Sequence, residues 1–269
     1  MKRLLIILSA IVLLASACQK ETRVDAAVTM TYSVKPPVQF ITKAAGEGSQ
    51  VNILWCGVYH KKGENNYTYM EPMSVFVTIT PGEDINVPLT LIRNQEYRLV
   101  FVAQHRGETS LRTSGYTYNI VYETGDMELN APLTDGECLD VFVNIDDVRP
   151  VTGNEHRDIT LDRPVAQINV GTSADLPASF DLTITGVPQA YNLFTGEYSQ
   201  STVEHTFAGL TPPAGGTLSV GGATYKHMTT LYIFGGNKIG GSITYGQSAK
   251  TFSNIDTAPN HKTNIVGNI

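Results

Sequence analysis

Charge, cysteine and tryptophan are all scarce in this sequence. Charged residues make up 16 %, and there are three cysteines and one tryptophan. A net charge of −6 with no basic run excludes the electrostatic footprint of a nucleic-acid partner. Three cysteines are too few for a disulfide-built scaffold, and none stands at metal-site spacing. The six histidines (His60, His105, His156, His205, His227 and His261) fall on separate segments, none with a second histidine at i, i+4. They read as scattered surface or loop residues. No Gly-x-Ser-x-Gly elbow, phosphate loop or dinucleotide fingerprint occurs, and Gly215-Gly216 and Gly221-Gly222 lack the strand-to-helix setting. No catalytic centre, metal or cofactor is expected. Nothing after residue 18 approaches the about 20 apolar residues of a membrane-crossing helix, and no long segment keeps helical spacing.

What is present begins at the N-terminus. Lys2 and Arg3 precede an apolar run from Leu4 to Leu14, then Ala15-Ser16-Ala17 and Cys18. That order is a secretory signal. A cysteine directly after the small residues is the pattern of a bacterial lipobox, although Ala15 stands where Leu is usual. The segment predicts a signal peptide over 1–17, lipidation at Cys18 and a lipidated tether over 18–26; a plain cleaved signal is the alternative. Each buried acyl methylene contributes ~0.8 kcal/mol, so a multiply acylated cysteine anchors stably in a membrane. Export permits disulfides. Cys56 and Cys138 lie in apolar, strand-like contexts and read as buried free thiols, a bridge between them being the other option.

The periodicity is that of strands. Val28, Met30, Tyr32 and Val34 alternate with Thr29, Thr31 and Ser33; Val75, Val77 and Ile79, then Val141, Val143 and Ile145, then Phe180, Leu182 and Ile184 do the same. Period-2 alternation buries one face of a sheet and wets the other. Val51–Tyr59, Leu99–Ala103 and Leu231–Phe234 are apolar on both faces and read as central strands. Turn signals such as Pro81-Gly82-Glu83 and Thr211-Pro212-Pro213 separate them. Many short strands at this spacing predict an all-β chain of two tandem sandwiches. The polar stretch Arg149–Asn154 sets the expected bounds at 27–157 and 158–269, and Ala208–Tyr225 reads as a long surface connection.

Two groups of side chains stand out as candidate surfaces. Carboxylates gather from Glu123 to Asp147, as a solvated acidic face or a calcium loop of unfamiliar spacing. Tyr67, Tyr69, Tyr116, Tyr118 and Tyr122 crowd two segments. They either fill a sandwich interior or offer rings with polar tips to a glycan or protein.

Three phrases resemble one family, the fimbrillin-like (type V pilin and related) lipoproteins of Bacteroidetes. They are Val51-Asn52-Ile53-Leu54-Trp55-Cys56-Gly57-Val58-Tyr59, then Leu161-Asp162-Arg163-Pro164-Val165-Ala166-Gln167-Ile168-Asn169-Val170, and His261-Lys262-Thr263-Asn264-Ile265-Val266-Gly267-Asn268-Ile269. With Cys18 they span nearly the whole chain. The resemblance implies transthyretin-like, Greek-key sandwiches and a surface-exposed lipoprotein anchored in the outer membrane; Gln19-Lys20-Glu21 resembles the short signals that direct some such lipoproteins outward. It implies a fimbrial accessory, tip or anchor subunit, or an adhesin, with other pilin-like subunits or a host or bacterial surface protein or glycan as partner. A glycan-binding lipoprotein of a polysaccharide-uptake system is the alternative. In polymerising members a protease cuts after a basic residue, the first strand leaves and a donor strand fills its slot. Here Arg23, Lys35 and Lys43 flank the first strand. Pro36 disfavours cutting at Lys35, Lys43 is either a cleavage point or a solvated loop lysine, and no segment after Ile269 is seen to act as a donor, so a shaft role is not expected. Asp256-Thr257-Ala258 fits the short pattern for O-glycosylation of exported Bacteroidetes proteins, at Thr257.

Overall fold

The computed structural model describes residues 27–35, 51–64, 66–80, 83–107, 117–129 and 139–268. Apart from one turn of 3-10 helix at Glu71–Met73, the regular elements described are strands, as the alternating pattern requires. The first ten are β1 (Ala27–Lys35), β2 (Ile53–Gly63), β3 (Asn66–Tyr69), β4 (Val75–Thr78), β5 (Ile85–Ile92), β6 (Tyr97–Gln104), β7 (Tyr118–Val121), β8 (Asp126–Leu129), β9 (Val141–Val148) and β10 (Glu155–Thr160). One sheet has the order β10-β1-β5, and a second runs β3-β2-β6-β9 with β4 also on β2. Val28, Met30, Tyr32 and Val34 of β1 share one core with Leu54, Cys56 and Val58 of β2 and Leu99 and Phe101 of β6. That shared core makes the two sheets the layers of a sandwich.

The remaining strands are β11 (Val165–Thr172), β12 (Phe180–Pro188), β13 (Ala190–Asn192), β14 (Glu197–Tyr198), β15 (Thr202–Leu210), β16 (Thr217–Val220), β17 (Ala223–Phe234), β18 (Lys238–Tyr245), β19 (Ser248–Asp256) and β20 (Lys262–Gly267). They form sheets ordered β16-β17-β11-β20 and β15-β12-β18-β19. The pairing repeats that of the first half. β1 is parallel to β10 and antiparallel to β5, and β11 is parallel to β20 and antiparallel to β17. β2-β6-β9 and β12-β18-β19 are likewise both antiparallel runs. β10 pairs with β1 along its whole length, from Met30↔Glu155 to Lys35↔Thr160.

Ala208–Tyr225 is not a long connection. β16 and β17 form a hairpin closed by Val220↔Ala223, with Gly221 and Gly222 at φ 58° and 83°. Two consecutive left-handed residues are the two-residue turn that matches strand twist. The glycines there are hairpin chemistry, not slack.

The strands that are apolar on both faces have two neighbours. The inner residues of β2 and β6 join the first core. Their outer residues, Trp55, Tyr59, Val100 and Val102, join Val141 and Val143 in a second core with Val165, Ile168, Leu182, Leu231 and Phe234. A small sheet, ordered β14-β13-β8-β7, is built from both halves, with β8 paired to β13. A buried ion pair adds to the joint: Arg163 donates from Nε and Nη2 to the two oxygens of Asp140, both at 2.8 Å. Its guanidinium lies 4.6 Å from the Phe142 ring and 5.7 Å from that of Tyr232.

Candidate functional site

Two features combine local chemistry with a place where a partner could act. The first is the slot that β1 fills. β1 is the middle strand of its sheet, and its four inward side chains are buried. The Tyr32 hydroxyl donates to Asp146 Oδ2 at 2.7 Å, and Arg157 Nη1 donates to the same oxygen at 2.9 Å. Burial, and then the bond to Asp146, raise the Tyr32 pKa, so the phenol stays protonated. Ser33 Oγ donates to Asn86 Oδ1 on β5 at 3.1 Å. Lys35 is the exposed last residue of β1, opposite Thr160. Cys18, Arg23 and Lys43 lie outside the described residues.

The second feature is an aromatic nest between the β2-containing sheet and the small shared sheet. The Tyr69 and Tyr122 rings stack at 4.5 Å with planes 7° apart. Trp55 lies 5.4 Å from Tyr122 and 6.2 Å from Tyr69. Phe194 is edge-on to Tyr59 at 4.8 Å and 5.2 Å from Tyr67. Backbone geometry admits these rings. Gly125, at φ 74°, leaves room for the Phe194 ring, and Leu193 N–H donates to the Gly125 carbonyl at 2.7 Å. A Cβ on Gly57 would lie 2.3 Å from Trp55 Cη2, so the indole occupies space only glycine leaves open. Gly57→Ala is therefore expected to destabilise the chain by about 1–3 kcal/mol through overpacking. The measurement is a lower denaturant midpoint at unchanged slope.

Arg98 frames the nest. Its guanidinium lies 4.5 Å over the Tyr67 ring, donates to the Phe194 carbonyl, and makes two 2.7 Å bonds to Asp147. The bonds from Arg98 hold the Asp147 carboxyl below the usual carboxylate range. Two donors inside the nest, Trp55 Nε1 and the Tyr59 hydroxyl, have no hydrogen-bond partner although both residues are buried.

Tyr67, Tyr69 and Tyr122 thus meet at one place. Tyr118 does not join them: it is core, and its hydroxyl donates to the Leu139 carbonyl at 2.6 Å. Tyr116 lies outside the described residues. Sequence reasoning missed Trp55 and Tyr59 as members, because an apolar strand phrase reads as core, and it missed Phe194, which comes from the other half of the chain. Among the described residues, no group of three or more His, Cys, Asp or Glu could hold a metal ion. Cys56 is a buried free thiol whose pKa burial raises; Cys138 is outside the described residues. Thr257 is buried and its hydroxyl donates to the Asn237 carbonyl at 2.7 Å, so a glycan there requires that bond to open.

Paired sheets whose mixed pairing, one parallel and one antiparallel neighbour for β1 and for β11, recurs in both halves define an all-β, sandwich-type scaffold. The chain belongs to the family of unknown function DUF6562, whose pattern matches residues 20–269. No curated protein matches it. A Bacteroides thetaiotaomicron protein proposed to bind polysaccharide (DUF1812) superposes with a TM-score of 0.54 at 13 % identity, over 89 % of this chain and 90 % of that one. A proposed adhesin from the same species gives 0.51 at 15 % identity, over 87 % and 81 %. The fimbrial anchor protein Mfa2 of Porphyromonas gingivalis gives 0.44 at 14 % identity, over 81 % and 77 %. The all-β sandwich class expected from the sequence is borne out; at these identities the likeness is one of fold.

Proposed function

We propose that this chain is an outer-membrane lipoprotein, anchored through Cys18, that serves as a fimbrial accessory, tip or anchor subunit or adhesin and engages partners by strand addition and loop contacts. Its two units are taken as tandem sandwiches over 27–157 and 158–269, with β10 spanning the boundary. One observation carries the reading: β1 is the first described strand, the centre of its sheet, and seated by four alternate buried side chains. A strand so placed leaves a complete slot when it goes, with backbone groups of β5 and β10 to pair an incoming strand and pockets to fix its register. Lys43 is the favoured processing point and Lys35 the second. The test is limited trypsin treatment of the purified chain, followed by a labelled peptide of the Ala27–Lys35 sequence. Capture of the peptide in a band that resists unheated SDS is the expected result. A trimmed chain that takes up no strand sinks the reading.

The second reading, a glycan-binding lipoprotein, is favoured by the aromatic nest, where flat rings and hydrogen-bond donors coincide.

A further inference from the structure

We propose that the nest around Trp55 is a binding site for a neutral saccharide, whose ring stacks on Tyr69 and whose hydroxyls meet the Trp55 indole N–H and the Tyr59 hydroxyl. This rests on the glycan reading and gives it a place in the fold. Trp55 is 1 % exposed and Tyr59 0 %, and neither polar atom has a partner. Native interiors leave few such atoms, because an unmet buried donor forfeits its hydration with nothing in return. The indole N–H is a donor only, so it calls for an acceptor from outside the chain's own rings.

The surroundings narrow the class. A wholly apolar ligand would leave both donors unmet. An anionic one does not find Arg98 free, since its guanidinium is held by both Asp147 oxygens and the Phe194 carbonyl. A sugar ring combines apolar C–H faces for aromatic rings with hydroxyls for donors. Tyr122 is half-buried, at the turn that joins β7 to β8, and stacks on Tyr69. In this proposal the Tyr122 side chain turns off the stack and the sugar ring takes its place on the Tyr69 face.

Trp55 is the sole tryptophan, so its emission reports this site alone. The full-length protein is titrated with neutral glucose-, mannose- and xylose-based oligosaccharides, with an oligogalacturonate as the anionic probe and a proline-rich peptide as the peptide probe. A saturable change in emission with at least one neutral sugar is expected, and none with the other two. Tyr69→Ala should weaken binding about two- to tenfold through the lost stacking. Trp55→Phe, followed by calorimetry, should weaken it about fivefold by removing one hydrogen bond. Thermal melting checks that each variant is folded, and Tyr69→Leu, which keeps bulk but removes the ring and should weaken binding likewise, replaces Tyr69→Ala if that variant is not. Sugar binding with silent Trp55 emission and an unaffected Tyr69→Ala variant would overturn this site but leave the glycan reading standing. No binding of any neutral sugar overturns both, and a response to the peptide or the anion in place of the sugars overturns the saccharide.

Discussion

Asp140→Ala is expected to destabilise the chain by about 3–5 kcal/mol, the range for stranding a buried charge. The side chains of Arg163 and Asp140 are 4 % and 2 % exposed, and the guanidinium lies over two aromatic rings. Deleting the carboxylate leaves a cation that cannot deprotonate in a place where water does not reach. The pair itself need not be a net source of stability, since desolvating two ions offsets most of their attraction. That distinction is testable: Asp140→Leu combined with Arg163→Met should regain most of the loss, because it removes both charges while keeping volume. Denaturant midpoints of the single and double variants decide it. Asp175→Ala is the control. Lys226 reaches Asp175 at 2.7 Å, about as close as the buried pair, but the Asp175 side chain is fully exposed, and surface pairs of this kind contribute little. Equal losses at Asp140 and Asp175 would mean that burial is not what makes the first pair matter.

The strands were legible wherever one side of a sheet meets solvent. β1 and β12 carry an alternation that chain chemistry alone explains, and the both-faces-apolar phrases around Trp55 and Phe101 mark strands that have a neighbour on each side. What that second neighbour is could not be read. β7, β8, β13 and β14 have two to four residues each, too few for a period to show, and their pairing joins residues 126–128 to 190–192. The nest shows the same limit. Tyr67 and Tyr69 lie two residues apart in sequence and could be flagged, but Phe194 reaches them only through that late pairing. The Gly- and Pro-rich stretch before β17 was misread because glycine marks both slack loops and tight hairpins. Only the flanking pairs, Val220 with Ala223 and Ser219 with Thr224, distinguish them.

Met30→Ala should loosen β1 more than any change on its outward face. Met30 is 0 % exposed, and trimming a buried methionine to alanine costs about 2–5 kcal/mol. Thr29 is exposed beside it, so Thr29→Ala should stay within about 0.5 kcal/mol. The informative quantity is where that loss is felt. If β1 is a unit that can leave its slot while β5 and β10 remain folded, local opening governs exchange of its amides. Met30→Ala then accelerates β1 exchange while β9 and β18 keep their protection. Tyr32 sets a floor under this opening, since its hydroxyl must part from Asp146 while Arg157 keeps that carboxylate paired in the emptied slot. The slot is thus left with no orphaned charge, which is the physical condition for an exchangeable strand. Should the amides of β1, β5 and β9 instead accelerate together, β1 would open only with the whole first sandwich, and strand addition would have no groove to enter.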